Sequence, residues 1–310
     1  MRKYKIVKKI RRVPGKGENI MNKNARKLIP AVAMLLVSAT MLSTASFAWF
    51  SMNSQVTATG MNVDVSAPAS IMISETGETG TWATNITSLQ ATSNDSNSIV
   101  LGHASSTNGE TLYYVAPDQV TNGDINSGAT IHTVDNNTYA NTYGVGGTVG
   151  YVDYVLYLAT TSTAEGGMNV TLNSSPDITG FSDITPGDGG ASGAALLPAL
   201  RFAVLYQTWD ESDWGALTAP ANNVWCGADN METPNQALSG TTNGGTEKDD
   251  VAKFDNATLI NLPAGENGKI GQHVKVTIRV WLEGEDDAAI NSSITTLQNY
   301  SLKIGFMTAS

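Results

Sequence analysis

Val274-Lys-Val-Thr-Ile-Arg-Val-Trp-Leu282 alternates without a break. Val274, Val276, Ile278, Val280 and Leu282 share one face, and Lys275, Thr277, Arg279 and Trp281 share the other. A period of two is the signature of a β-strand with at least one buried side. The same pattern recurs on either side of this stretch. Leu302, Ile304 and Phe306 alternate with Lys303, Gly305 and Met307, and Leu200, Phe202, Val204 and Tyr206 alternate with Arg201, Ala203, Leu205 and Gln207. Tyr151 to Leu158 (YVDYVLYL) is apolar on both faces except at Asp153, which predicts a central strand. Ser70 to Ser74, Leu112 to Val115, Met168 to Leu172 and Thr258 to Leu262 are shorter candidates. The one helical spacing in this part of the chain, Ile290, Ile294 and Leu297, predicts a short connecting helix.

Between the strands lie Gly/Ser/Thr/Asn/Asp segments, among them Asn122–Gly128, Thr185–Gly193 and Ser239–Asp250, which carry turn and loop chemistry. Short strands in number with little helix predict an all-β fold. The expected form is a two-sheet jelly-roll or Greek-key sandwich with long loop insertions, preceded by an N-terminal signal helix. Residues 49–310 are expected to form one domain, with residues 208–250 as its largest insertion. Between Gln55 and Val65 the alternation changes phase: Val56 and Ala58 share one parity, and Met61, Val63 and Val65 take the other. Gly60 sits at the switch, where a β-bulge would return the inward face to register.

Charge is placed unevenly. Eleven of the 18 Lys and Arg lie between Arg2 and Lys27, and none lies between Leu28 and Leu200. Residues 49–310 hold 7 Lys and Arg against 27 Asp and Glu, a net charge of −20. A phosphate backbone needs cationic side chains, so nucleic acid is excluded as a partner. One Cys and three scattered His cannot build a cysteine-ligated metal site.

Leu28 to Phe50 is an apolar stretch of 23 residues preceded by Lys23, Arg26 and Lys27. Its core, Ala31 to Leu42, has signal-peptide length, and Ser46-Phe-Ala48 offers a small-x-small cleavage site between Ala48 and Trp49. Residues 21–48 are therefore expected to be a signal peptide, the only part to meet a membrane. An uncleaved signal anchor is the alternative, since the stretch could span a bilayer. Residues 1–20 are basic and precede a second methionine, Met21. Lys16 to Ile20 can be back-translated into a purine-rich ribosome-binding sequence, so translation is expected to start at Met21. A long basic leader is the alternative.

Catalytic chemistry is sparse. His103, His132 and His273 have no partner at the i+4 spacing of a zincin, and no nucleophile elbow, P-loop or dinucleotide fingerprint occurs. A catalytic Cys226 would need a His beside it in space, and an unpaired, partly buried Cys is the plainer reading. No catalytic residue and no cofactor is assigned. Glu283, Glu285, Asp286 and Asp287 follow the best strand and could hold Ca²⁺ through hard oxygen ligands, with a solvated turn as the plainer reading. Trp209, Trp214 and Trp225 crowd one expected loop region, where they could stack on a ligand or pin the loop.

Met34 to Asn53 (MLLVSATMLSTASFAWFSMN), running into Val56 to Val65 (VTATGMNVDV), resembles the export signal and first mature strand of the TasA/camelysin family of Firmicutes. Val274 to Asp286 and Ser301 to Phe306 resemble late strands of clostridial relatives with the same signal type. The resemblance covers roughly a third of the chain. It implies export by a dedicated signal peptidase from a Gram-positive bacterium. It also implies a jelly-roll subunit of extracellular biofilm-matrix or cell-surface fibres, polymerised with itself or with related matrix subunits. In that family fibres form when one subunit's N-terminal segment completes the next subunit's sheet. Here that assembly strand would be Trp49, Phe50, Val56, Ala58, Met61, Val63 and Val65. Two alternatives belong to other classes. One is a secreted adhesin or glycan-binding module using the tryptophan loop. The other is a camelysin-like surface protease, although this sequence lacks a zinc motif.

Overall fold

In the computed structural model, Val274–Glu283 is a ten-residue strand hydrogen-bonded along its length on both sides. The structure describes residues 55–59, 62–68, 70–77, 80–91, 98–116, 119–121, 124–125, 129–136, 148–172, 199–226, 236–242, 245–251, 259–266, 269–284, 296–298 and 301–309. The signal segment, the Ala48–Trp49 bond, Phe50 and Met61 lie outside these residues.

The described chain is all β. In order the strands are β1 Gln55–Thr59, β2 Asn62–Ser66, β3 Ile71–Ser74, β4 Asn85–Leu89, β5 Ser98–Ala104, β6 Tyr113–Val115, β7 Val120–Thr121 and β8 Asp124–Ile125. They continue as β9 Ile131–Thr133, β10 Thr148–Val149, β11 Tyr151–Thr160, β12 Met168–Leu172, β13 Leu200–Gln207, β14 Trp209–Asp210, β15 Asp213–Trp214 and β16 Val224–Cys226. The last are β17 Gln236–Thr242, β18 Gly245–Asp250, β19 Ile260–Leu262, β20 Val274–Glu283, β21 Thr296–Gln298 and β22 Ser301–Thr308.

Nine strands make the larger sheet. Its path runs β16-β13-β20-β5-β1-β21, with β11 pairing β20 and β3, and β10 pairing β5. A five-stranded sheet runs β19-β12-β22-β2-β4. Alternation now acquires its meaning. Val274, Val276, Ile278, Val280 and Leu282 are buried in one cluster with Val152, Tyr154, Leu156 and Leu158 of β11, Leu200, Phe202 and Val204 of β13, and Leu302, Ile304 and Phe306 of β22. Both sheets thus turn an apolar face into a common core. β11 is central, as its two-faced apolarity predicts, with β20 on one side and β3 on the other.

The other parity of the larger sheet is also buried. Trp281, Ala203, Leu205 and Val224 form a second cluster with Leu112, Tyr114, Val134, Ala237 and Val251. These come from the β6–β9 ribbon and from the residues around the β17–β18 hairpin. Gly109 lies in the turn before β6 with φ +74, and a Cβ there would collide with the Ala203 Cβ. Only glycine satisfies both the left-handed backbone and the close approach.

Three expectations are corrected here. Leu297 belongs to strand β21, parallel to β1, rather than to a helix; Ile290 and Ile294 lie outside the described residues. Pairing with β1 overrides the local spacing. Residues 239–250, expected as loop, form most of the β17–β18 hairpin. Residues 208–250 are not a bare insertion, because β16 within them adds to β13 of the larger sheet. Gly, Thr and charged residues without apolar alternation hide β17 and β18, and β16 is too short to show a period.

Tyr154 is fully buried on β11, and its hydroxyl has no hydrogen-bond partner among the described residues. Burial raises the phenol above its ordinary range. An unmatched buried hydroxyl costs free energy that removal recovers. Tyr154→Phe should therefore raise stability by about 1 kcal/mol, read as a higher urea midpoint at unchanged slope. A lower midpoint would mean that the hydroxyl has a partner in solution.

Candidate functional site

The phase switch between Gln55 and Val65 marks a change of sheet. β1 lies in the larger sheet, antiparallel to β5 and parallel to β21. β2 lies in the smaller one, antiparallel to β4 and parallel to β22. The N-terminal segment therefore has neighbours on both sides in each sheet. On one side it runs beside the C-terminal strands, Thr57 with Thr296 and Val63 with Leu302. Val63 and Val65 are buried in the main core. Val56 and Ala58 lie in β1, paired with Leu101 and Ile99.

β21 and β22 are parallel neighbours of β1 and β2 from far along the chain. They cannot be joined by a hairpin and depend on the whole fold to meet. The segment occupies a slot bounded by β5 and β21 in one sheet and by β4 and β22 in the other. Its main-chain groups fill the ladder on both sides, while Val63 and Val65 fill the core beneath. What such a slot offers a strand is main-chain hydrogen bonding on both flanks and a side-chain parity fixed by the buried face.

The tryptophans divide into two places. Trp209 and Trp214 face each other across the β14–β15 hairpin, with ring centroids 5.3 Å apart at 75°. Trp214 also meets His273 at 5.5 Å and Tyr157 at 5.6 Å, and Lys275 Nζ lies 5.9 Å over its ring. Trp82 joins the group through His273 at 6.0 Å. The hairpin is tied down by Gln207 Nε2 donating to Gly215 O at 2.8 Å and by Gln272 Nε2 donating to Trp209 O at 3.1 Å. Trp225 is not in this cluster. It stacks on Phe202 at 5.3 Å and 5° on the edge strand β16. The partly exposed rings could offer a platform to a planar or sugar ring, but their edge-to-face contacts already fasten the hairpin to the sheet. The sequence did not bring Trp82, Tyr157 and His273 to this group, because they come from separate sites and share only their aromatic character.

Glu283 is buried, 2% exposed, and its Oε2 accepts from Trp281 Nε1 at 3.1 Å and from Ser106 N at 3.4 Å. These contacts give it a structural role at the end of β20. Glu285, Asp286 and Asp287 lie outside the described residues. Among the described residues no three His, Cys, Asp or Glu are grouped to hold a metal. His103 is buried on β5, His132 stacks on Tyr114 at 5.2 Å, and His273 sits among the aromatic rings. The three are thus spread over separate environments. Cys226 ends β16, in register with Arg201. No helix among the described residues is long and apolar enough to cross a membrane.

No protein-family model matches this chain, and no curated protein or solved structure matches it either.

Proposed function

We propose that the chain is an exported structural subunit, a two-sheet jelly-roll or Greek-key sandwich that polymerises into extracellular matrix or cell-surface fibres by exchange of its N-terminal strand. The observation that carries this reading is the position of β1 and β2. The first strands after the expected cleavage site are interior members of both sheets and pair in parallel with the last strands of the chain. Withdrawn from its own slot, the segment leaves open edges that a second copy's segment can fill. Repeated head to tail, such contacts do not close and give filaments. The family resemblance of the signal and first strand supports the same reading, as does the sparse catalytic chemistry of the sequence. Assembly is homomeric or with related matrix subunits, after cleavage by a dedicated signal peptidase.

The net charge of −20 makes subunits repel one another, so filaments should form more readily with added salt or divalent cations. The decisive experiment pins the strand in its own slot. Asn62 and Ser301 are register partners on adjacent parallel strands. A chain from Trp49 carrying Asn62→Cys, Ser301→Cys and Cys226→Ser should stay monomeric when oxidised and form filaments when reduced, seen by electron microscopy. If the reduced chain remains folded and monomeric at every salt concentration, the fibre reading fails. Filaments from the fully oxidised chain would exclude strand exchange as their mechanism.

A further inference from the structure

The six strands that make up the N-terminal segment and its slot contain two charged residues between them. β1 (QVTAT), β4 (NITSL), β5 (SIVLGHA) and β21 (TLQ) have no Asp, Glu, Lys or Arg. β2 (NVDVS) has Asp64, and β22 (SLKIGFMT) has Lys303. These two are of opposite sign, and the parallel pairing places them in register. Lys303 is one of only 7 Lys and Arg among residues 49–310.

The other neighbour of β2 marks the same position. Val63 pairs with Leu89 and Val65 with Ile86, so Thr87 and Ser88 of β4 stand against the single residue Asp64. This β-bulge interrupts the regular ladder beside Asp64 on one flank, while Lys303 stands on the other. Elsewhere the slot is apolar or neutral. Val63 and Val65 would satisfy the buried face equally well after a slip of two residues, because strand side chains repeat every two positions. Such a slip would put Asp64 beside Ser301 or Gly305 in place of Lys303. Parity selects the face; the charge pair and the bulge distinguish one same-parity register from the next.

We propose that Asp64 and Lys303 form an electrostatic latch that sets the register of the N-terminal strand in its slot and selects which copy's strand is accepted. The inference rests on the strand-exchange reading for its intersubunit part: in a filament, Asp64 of one copy meets Lys303 of the next. Its partner is a second copy of this chain, or a related subunit with an acid at the same strand position.

Charge exchange tests it. Asp64→Lys places two cations in register, and Lys303→Asp places two anions. Each variant alone should assemble at least tenfold more slowly than the unaltered chain from Trp49. Mixed in equal amounts they should assemble at near the unaltered rate. In the mixture, the strand of the Asp64→Lys variant enters the slot of the Lys303→Asp variant and again sets a cation beside an anion. The strand of the Lys303→Asp variant enters the other slot and restores the native pairing of Asp64 with Lys303, so alternate copies complement one another. Distinct labels on the two variants should alternate along each filament. The doubly exchanged chain, Asp64→Lys with Lys303→Asp, should assemble alone. Monomer unfolding midpoints give a readout independent of fibres, with each single variant lowered and the double variant restored. Absence of filaments from the unaltered chain would sink the fibre reading and leave the latch to be judged on those midpoints. A double variant no more stable than the singles, or single variants that assemble at the unaltered rate, would overturn the latch itself.

Discussion

A chain that begins at Ser66 should not fold as a monomer, and a synthetic peptide spanning Gln55 to Ser66 should restore it. The truncation removes two interior strands at once. It exposes β5 and β21 in the larger sheet and β4 and β22 in the smaller one. It also takes Val63 and Val65, both buried in the main core, out of the apolar cluster. Burial of two valines is worth about 3–6 kcal/mol, before the loss of ladder hydrogen bonds on both sides of each strand. Small domains hold about 5–15 kcal/mol in all, so the truncated chain should show no cooperative urea transition and should aggregate through its open edges. The peptide in excess should return the transition and a near-native midpoint. A peptide with Val63→Asp and Val65→Asp should not, because its face toward the core is charged. If the truncated chain unfolds cooperatively at the midpoint of the longer one, the N-terminal strand is not integral to the fold. The peptide experiment is the equilibrium analogue of a second copy donating its strand. It probes the slot without requiring filaments to form.

The strands with the strongest alternation were legible because each buries a full face. Val274 to Leu282 and Leu200 to Tyr206 appear in the structure with the faces their parity assigns. The burial of Arg201, Thr277 and Arg279 on the second face was not legible. Polar residues on a strand read as solvent-facing until something is known to cover them, and the cover here comes from ribbons distant in sequence. The phase change at Gly60 was visible, but its cause was not. A bulge in one strand and a transfer between two sheets leave the same trace in the sequence. Which strands neighbour β1 and β2 is a property of topology, and no local pattern encodes a parallel pairing between the two ends of a chain. The tryptophans show the same limit. Trp209 and Trp214 are close in sequence and meet across a tight hairpin, whereas Trp225, further along the chain, belongs to a different strand and packs on Phe202.

Loss of Arg279 on that second face should carry a large cost. Its Nε and Nη2 donate to the two carboxylate oxygens of Asp153 at 2.7 and 2.8 Å, and its Nη1 donates to Gly109 O at 3.1 Å and Glu110 O at 2.9 Å. The guanidinium carbon lies 3.9 Å from the centre of the Tyr151 ring. Burial by itself would lower the Arg279 pKa. The hydrogen bond and charge of Asp153, helped by Tyr151 and Glu110, outweigh that effect and hold it above its ordinary value. The side chain therefore ties two neighbouring strands of the larger sheet to the glycine turn that leads into β6. Arg279→Met keeps the stem but leaves the Asp153 carboxylate and two carbonyls unmatched. Breaking a buried pair on one side costs about 3–5 kcal/mol. Asp153 retains 21% side-chain exposure, and water can reach it, so the lower end, about 3 kcal/mol, is expected here. Asp153→Asn should cost less, about 1–2 kcal/mol, because the amide still accepts from Arg279 and the carbonyl contacts survive. Adding Asp153→Leu to Arg279→Met should return part of the loss, since an apolar pair leaves no uncompensated charge between the strands. Urea unfolding midpoints measure all three. Hydrogen exchange should also quicken at the amides of residues 109–113 in Arg279→Met, where the turn is no longer fastened to the sheet. An Arg279→Met midpoint within about 1 kcal/mol of the unaltered protein, or a double variant weaker than the single one, would show that the ion pair does not hold these strands and the turn together.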